Sequence, residues 1–366
     1  MEGLPIYQVV DDLRNALSKN NTVILQAPPG AGKSTVLPLH LLNEPWLDGK
    51  KILLLEPRRL AAKAVANRLA EQLGETAGKT VGYRIRFDQK ISTETRIEIV
   101  TEGILTRMLQ RDNSLADYGL VMFDEFHERS LHADLALALC REMQAVLRNE
   151  FRLLIMSATL DGKLLQASLN NAPLIISEGR QYPIKYHYRD WDHSISIAQN
   201  TCKAVLHALR VEHGDLLVFL PGSGDIHSAK ELLEESVVNA IVYTLYGDLP
   251  SDEQQRALLP DSSGRRKIVL STSIAETSLT IQGVRVVIDS GYSRIPSFDP
   301  SSGLTRLETV QSSKDTADQR AGRAGRTEPG VCYRLWPEST LHHLNPQRIP
   351  EILQADLSPL MLELAG

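Results

Sequence analysis

Ten short runs of β-branched and aliphatic residues, separated by helix-length segments, constrain this chain more than any other feature. In the first half they are TVILQA (22–27), KILLLEP (51–57), RIEIVT (96–101), LVMFDE (120–125) and RLLIMSAT (152–159). In the second half they are LLVFLP (216–221), AIVYTL (240–245), KIVLST (267–272), VRVVIDSG (284–291) and VCYRLW (331–336). Each is nearly continuous in apolar residues, as strands buried on both faces of a parallel sheet must be. The segments between them leave room for the helical crossovers that parallel strands require. The pattern occurs twice, so the expected fold class is α/β with two tandem domains. A chain of 366 residues, 42% apolar, is long enough to bury two cores.

The polar, aromatic stretch from Glu178 to Ser194 contains Gly179 and Pro183 and has no helical period, so it reads as a linker or domain entry. The expected domains are therefore residues 1–177 and 178–349. From 350 onward, PEILQADLSPLMLELAG has helical spacing and reads as the opening of a third, helical domain over 350–366, with the chain a piece of a longer protein. No run of about 18 uncharged apolar residues is present, which argues against a membrane span. The N-terminus lacks the basic start and apolar run of a signal peptide. Cys140, Cys202 and Cys332 are scattered without metal-like spacing, which suits a reducing cytoplasm. The net charge of −5 weighs mildly against a nucleic-acid partner, although a local arginine-lined groove can bind phosphates inside an acidic protein.

Ala27-Pro28-Pro29-Gly30-Ala31-Gly32-Lys33-Ser34-Thr35 directly follows the first strand and opens a helix-compatible run, the context of a P-loop. Glycines let backbone N–H groups turn inward around phosphate oxygens, and the helix N-terminus adds its positive dipole end. Residues 30–35 form the expected cradle: Gly30, Ala31, Gly32, Lys33, Ser34 and Thr35. Lys33 reaches the β- and γ-phosphates and the Ser34 hydroxyl ligates Mg²⁺. Ala27 stands where the strict pattern has its first glycine. A P-loop needs a second acidic group at another strand end, and LVMFDE delivers Asp124 and Glu125 there. Asp124 is the candidate Mg²⁺ partner and Glu125 the candidate base for the attacking water. Two acids ending a strand also occur as a plain solvated terminus; the P-loop favours the functional reading. In the second half, Gln319-Arg320-Ala321-Gly322-Arg323-Ala324-Gly325-Arg326 spaces three arginines so that, on a helix, neighbours share a face. Like charges that close repel unless an anion holds them, and a nucleotide γ-phosphate is such an anion. The bland alternative is an exposed basic helix.

Together these residues resemble the superfamily-two helicases, more narrowly the DEAH-box/RNA-helicase-A group, and most closely its bacterial HrpB-type members. The resemblance runs in order along nearly the whole chain. Besides the P-loop it is carried by Glu56-Pro57-Arg58-Arg59, Thr101-Glu102-Gly103, Asp124-Glu125-Phe126-His127 and Ser157-Ala158-Thr159. Phe219-Leu220-Pro221-Gly222, the run from Ser271 to Ser278 and the arginine run complete it. It implies two RecA-like domains with ATP between them and a winged-helix region beginning after 349. It implies that Arg323 and Arg326 are trans-domain arginine fingers and that Gln319 helps hold the γ-phosphate or attacking water. Ser157, Thr159 and His127 would couple nucleotide state to domain closure. Pro57, Arg58, Thr101, Gly222, Thr272 and Thr277 would follow the nucleic-acid backbone. Arg68 would stack on the nucleotide base, opposite Leu258 where the family has phenylalanine. Phe126 and Ser273 replace the family's usual alanine and asparagine.

The expected function is an ATP- and Mg²⁺-dependent helicase or translocase core on single-stranded RNA, with DNA possible, working as a cytoplasmic monomer. The alternative is an ATP-gated RNA clamp without processive unwinding. Other features stay in the background. His187, His193 and His342-His343 read as surface residues. Trp46, Trp191 and Trp336 could stack on bases, but packing is the simpler reading. Segment 292–310 has strand-like ends around a Pro/Ser/Gly centre and reads as a β-hairpin.

Overall fold

The computed structural model describes residues 3–158, 162–179, 182–261, 263–276, 281–326 and 328–365. Two compact units are present: Met1–Arg180 with Pro350–Ile352, and Gln181–Ile349 with Leu353–Gly366.

In the first unit the strands are β1 (Thr22–Gln26), β2 (Lys51–Glu56), β3 (Val81–Ile85), β4 (Asp88–Lys90), β5 (Ile97–Thr101), β6 (Tyr118–Phe123), β7 (Arg152–Ser157) and β8 (Leu174–Ile176). Its helices are α1 (Val10–Lys19), α2 (Lys33–Leu41), α3 (Arg59–Gln72), α4 (Glu102–Arg111), α5 (Leu131–Val146) and α6 (Gly162–Ser168). Among the described residues the strands form one eight-stranded sheet in the order β4-β3-β5-β2-β6-β7-β1-β8. Every pairing is parallel except β3 with β4. Alternate residues of the apolar runs serve opposite faces. Val23, Leu25, Ile52 and Leu54 pack with α1, α2 and α3, whereas Ile24, Leu53 and Leu55 pack with α4, α5 and α6. That is the three-layer solution for a sheet with two apolar faces. Burying each such Leu or Ile contributes about 1.5–3 kcal/mol. Ser130 starts α5 cleanly, its hydroxyl accepting from the Ala133 N–H at 3.1 Å.

The second unit repeats the scheme. Its strands are β9 (Ile184–Tyr188), β10 (Asp215–Phe219), β11 (Ala240–Leu245), β12 (Arg266–Ser271), β13 (Val284–Asp289), β14 (Tyr292–Asp299), β15 (Leu304–Gln311) and β16 (Gly330–Arg334). Its helices are α7 (Ile197–Val211), α8 (Ser223–Ser236), α9 (Ser251–Leu258), α10 (Lys314–Ala321) and α11 (Ser358–Ala365). A parallel sheet runs β11-β12-β10-β13-β16-β9, and β14 and β15 pair as a separate antiparallel hairpin. One face packs on α7 and α8, the other on α9 and α10. A full capping box, Ser196 with Gln199, opens α7.

Several expectations change. The stretch read as a linker contains β9, a parallel edge strand on β16 with Ile184 opposite Gly330 and Tyr188 opposite Arg334. Its side chains are all half-buried or exposed, because an edge strand at a sheet rim need not be apolar throughout. Nor does the arginine run form one helix. Only Arg320 lies in α10; Arg323 and Arg326 sit in the turns after it. His187 is half-buried and stacks on Tyr333 with ring centroids 4.8 Å apart, so it is not a plain surface residue. The hairpin forms at 292–311, one residue longer than read from sequence. A separate third unit is not shown: residues 350–352 group with the first unit and 353–366 with the second.

Candidate active site

In the first unit the glycine loop leaves β1 and winds into α2. Gly30 and Gly32 have φ of +81° and +99°, a region L side chains rarely adopt. An added Cβ at Gly32 would also be tight, 3.1 Å from Ile6 Cγ2 and from Leu4 Cδ1. Ala27, at the position where a first glycine was expected, is buried and donates its N–H to the Ser157 carbonyl at 2.9 Å. A methyl group is therefore accommodated there. Lys33 is buried and donates from Nζ to the Ala27 carbonyl at 2.9 Å, which folds its ammonium back over the loop. Ser34 and Thr35 follow, half-buried, in the first turn of α2.

Opposite this loop stand acids at neighbouring strand ends. Asp124 follows β6 and Glu125 follows it in a left-handed conformation, φ +49°. Such backbone geometry in a non-glycine residue stores strain and often marks a functional turn. The Asp124 Oδ1 accepts from the Glu125 N–H at 2.8 Å. Glu56, at the end of β2 beside β6, was not singled out for chemistry, yet it is fully buried against Asp124. Burial first, then the Asp124 and Glu125 charges, raise the Glu56 carboxyl well above the usual range. Burial and then Glu125 push Asp124 up to about 6, against the pull of Lys33. Lys33 pulls Asp124 back toward its ordinary value without cancelling burial and Glu125. Among the described residues no group of three or more metal-ligating side chains exists that could hold an ion alone. A dication here would take only one or two protein oxygens and the rest from phosphates or water, which is how Mg²⁺ is usually bound. The donor set fits that group.

His127 lies in the single 3-10 turn after Glu125. Its Nδ1 is 3.6 Å from a Glu125 carboxylate oxygen and accepts from the Ala158 N–H at 3.3 Å. It thus joins the Asp-Glu turn to Ser157, whose hydroxyl is buried at the end of β7. Thr159 lies outside the described residues. Phe126, expected to press on its surroundings, is 3% exposed and packs edge-on against Phe123, so its ring is absorbed into the core beneath the site.

Pro57, Arg58 and Thr101 end β2 and β5, which are neighbours with Glu56 beside Thr101. They form one patch, and Arg58 is held by Glu128 at 3.1 Å. The carboxyl of Glu102, beside Thr101, is pushed up to about 7. Burial is the main cause, opposed by a Ser130 hydrogen bond and reinforced by Glu128 and Glu351. Arg68, exposed on α3, pairs with Glu71 at 3.3 Å.

In the second unit Gly222 and Thr272 follow β10 and β12 on one rim of the sheet. Thr277 lies outside the described residues. Gln319 and Arg323 are buried at 6% and 4% exposure, which removes the exposed basic helix as an explanation. Arg323 donates from Nε to the Glu276 carbonyl at 2.8 Å, and with Arg326 it lines a small pocket beside Ala275 and Ile281. Arg320 is held inside the protein, by Glu276 and Asp289 at 2.7 Å each, so its charge needs no ligand. Glu276 also binds Arg348 at 2.8 Å. Sequence reasoning missed this network because its members are far apart in the chain. Leu258, expected as a lid on a base, is half-buried against the core under α9.

A glycine loop between strand and helix, facing an Asp-Glu pair from a second strand, defines a P-loop nucleotide-binding α/β protein. Comparison with known families narrows the class. The DEAD/DEAH box helicase model matches residues 9–167 and the helicase conserved C-terminal domain model matches residues 199–328. The chain belongs to the DEAD/DEAH box helicase family. It is 50% identical to the ATP-dependent RNA helicase HrpB of Escherichia coli, over 100% of this chain and 45% of that protein. It is 36% identical to the ATP-dependent RNA helicase HrpA of Borreliella burgdorferi, over 99% of this chain and 44% of that protein. The crystal structure of Escherichia coli DEAH/RHA helicase HrpB matches with a TM-score of 0.94 at 50% identity, covering 99% of this chain and 46% of that one. The chain therefore spans less than half the length of these relatives. The fold is two tandem RecA-like helicase domains with parallel sheets. Among the described residues no helix is long and apolar enough to cross a membrane.

Proposed function

We propose that this chain is the motor core of an ATP-dependent RNA helicase that couples ATP hydrolysis to movement along single-stranded RNA. The observation that carries this reading is the buried acid cluster of Glu56, Asp124 and Glu125 facing the Lys33 loop. Neighbouring acids are expensive to keep charged when buried, and a dication bound beside them lowers that cost. In this reading the loop of Gly30, Ala31 and Gly32 cradles phosphates, Lys33 neutralises the β- and γ-phosphates, and Thr35 supports the loop. Ser34 and Asp124 hold Mg²⁺, which when bound offsets the phosphate charge. Glu125 takes the proton of the attacking water, and Gln319 orients that water or the γ-phosphate. Arg323 and Arg326 stabilise charge on the γ-phosphate as it transfers, and Arg68 and Leu258 flank the base.

Pro57, Arg58, Thr101, Gly222, Thr272 and Thr277 hold the RNA backbone. Such contacts are largely sequence-blind, so the motor tracks many sequences. His127, Ser157 and Thr159 carry nucleotide state between the sites. The protein acts as a cytoplasmic monomer. The test is ATP turnover with and without poly-uridine RNA, beside strand displacement. Lys33→Ala and Glu125→Gln each lower turnover by about 10²-fold or more, with nucleotide binding retained in Glu125→Gln. Unchanged turnover in either variant sinks the assignment. Turnover without displacement would instead make the protein an ATP-gated clamp.

A further inference from the structure

The carboxyl ends of β13, β16 and β9, three adjacent strands of the second unit, enclose a cavity of about 480 Å³. That lies within the usual range for small-ligand pockets, and carboxyl strand ends are where open α/β sheets bind ligands. Ser290, Gly291 and Tyr292 leave β13, Leu335 and Trp336 leave β16, and Trp191 follows β9. The Trp191 and Tyr292 rings meet edge to face, with centroids 5.7 Å apart. Both stay half-exposed, so each keeps ring surface to offer. Trp336 is 6% exposed, and among the described residues its indole N–H has no partner. Gly291 has φ +82°, and an added Cβ would lie 2.6 Å from Trp336 Cε3. The turn is therefore pressed against the indole, which gives the cavity a rigid wall.

No lysine or arginine lines the cavity, and Asp190 stands at its mouth. A phosphate is thus the wrong occupant. A nucleobase suits it: a flat π-face for the two half-exposed rings, and polar edges for Ser290, Gln311, Asp190 or His193. The location supports this. Thr272, Gly222 and the cavity follow one another on a single rim, at the ends of β12, β10 and β13. Neighbouring strand ends lie about 5 Å apart. Exposed Arg294 stands beside Gly222, whose added Cβ would be 3.0 Å from Arg294 Nη1. A strand that meets Gly222 and Thr272 through its backbone would pass a guanidinium and then reach the aromatic cavity.

We propose that this cavity is a nucleobase pocket that takes one unpaired base of the bound single strand against the Trp191–Tyr292 pair. The proposal rests on the reading of Gly222 and Thr272 as backbone contacts. It would give a sequence-blind grip some interest in bases, with flat rings accepted whatever their identity.

The experiment uses the full-length protein and two 12-nucleotide chains, one of uridines and one of ribose-phosphates without bases. Base stacking of this kind makes the uridine chain bind about tenfold more tightly. Trp191→Ala abolishes most of that preference, while Trp191→Phe, which keeps a ring, preserves it. A preference unchanged in Trp191→Ala overturns the pocket while leaving the motor reading intact. If neither chain binds the unmutated protein, the nucleic-acid reading itself is overturned. A second readout needs no mutant: the fluorescence of a 2-aminopurine placed in the uridine chain falls on binding. No fall, or an equal fall in a correctly folded Trp191→Ala protein, also overturns the proposal. ATP alone, titrated in parallel, must leave the tryptophan signal of this pocket unmoved.

Discussion

Glu102 shows how one buried carboxyl makes stability depend on pH. Its proton is held up to about 7 against an ordinary 4.5, so the folded protein binds a proton that the unfolded chain has already released. The stabilisation is present in full below the unfolded value and is lost as pH rises through the folded one. The span corresponds to at most ~3 kcal/mol. Glu102→Gln cannot ionise, so its stability relative to the unmutated protein should rise from pH 5 to pH 8 and then level off. Denaturant unfolding at a series of pH values checks this, and a pH-independent difference would show that Glu102 does not titrate in that window. The neighbouring Arg58–Glu128 pair at 3.1 Å belongs to the same patch and sits where RNA phosphates are proposed to bind. A phosphate there has to compete with Glu128 for the guanidinium.

At the scale of elements, α10 is held by charge as well as by packing. Arg320 is 1% exposed and bridges Glu276, which follows β12, to Asp289, which ends β13. Removing one partner of a buried network leaves the others uncompensated, at a typical cost of about 3–5 kcal/mol. Arg320→Ala should lower the denaturant midpoint of the second unit and leave the first unit's transition in place. Trp191 and Trp336 report on the second unit and Trp46 on the first, so tryptophan fluorescence of single-tryptophan versions separates the two. Equal shifts in both transitions would contradict the assignment of this network to one unit.

For the whole molecule, the net charge of −5 means that the proposed attraction to RNA has to be local. Binding of a uridine 12-mer should weaken as salt rises, with a log–log slope of about −0.7 for each phosphate neutralised. Arg58→Ala should make that slope shallower by about one such step, measured by anisotropy between 50 and 300 mM KCl at ~25 °C. An unchanged slope would remove Arg58 from the phosphate contacts and leave it as the partner of Glu128 alone.

The sequence by itself determined the elements and the local chemistry. Continuous apolar runs bounded by turn residues favour strands buried on both faces, and Gly30-Ala31-Gly32-Lys33 after a strand favours a turn into a helix. The Asp-Glu pair was legible for the same reason, since it ends a run with no polar residue before it. What pairs across long chain separations was decided by tertiary structure. Local spacing suggested that Arg320, Arg323 and Arg326 share a helix face, whereas Glu276 and Asp289 bury Arg320 and the chain turns before Arg323. Glu56 beside Asp124, the edge strand β9 inside an apparent linker, and the aromatic cavity of Trp191, Tyr292 and Trp336 were hidden likewise. Each depends on which strand ends become neighbours in a sheet. Strand order is set by how whole faces pack together, and no short window of residues records that.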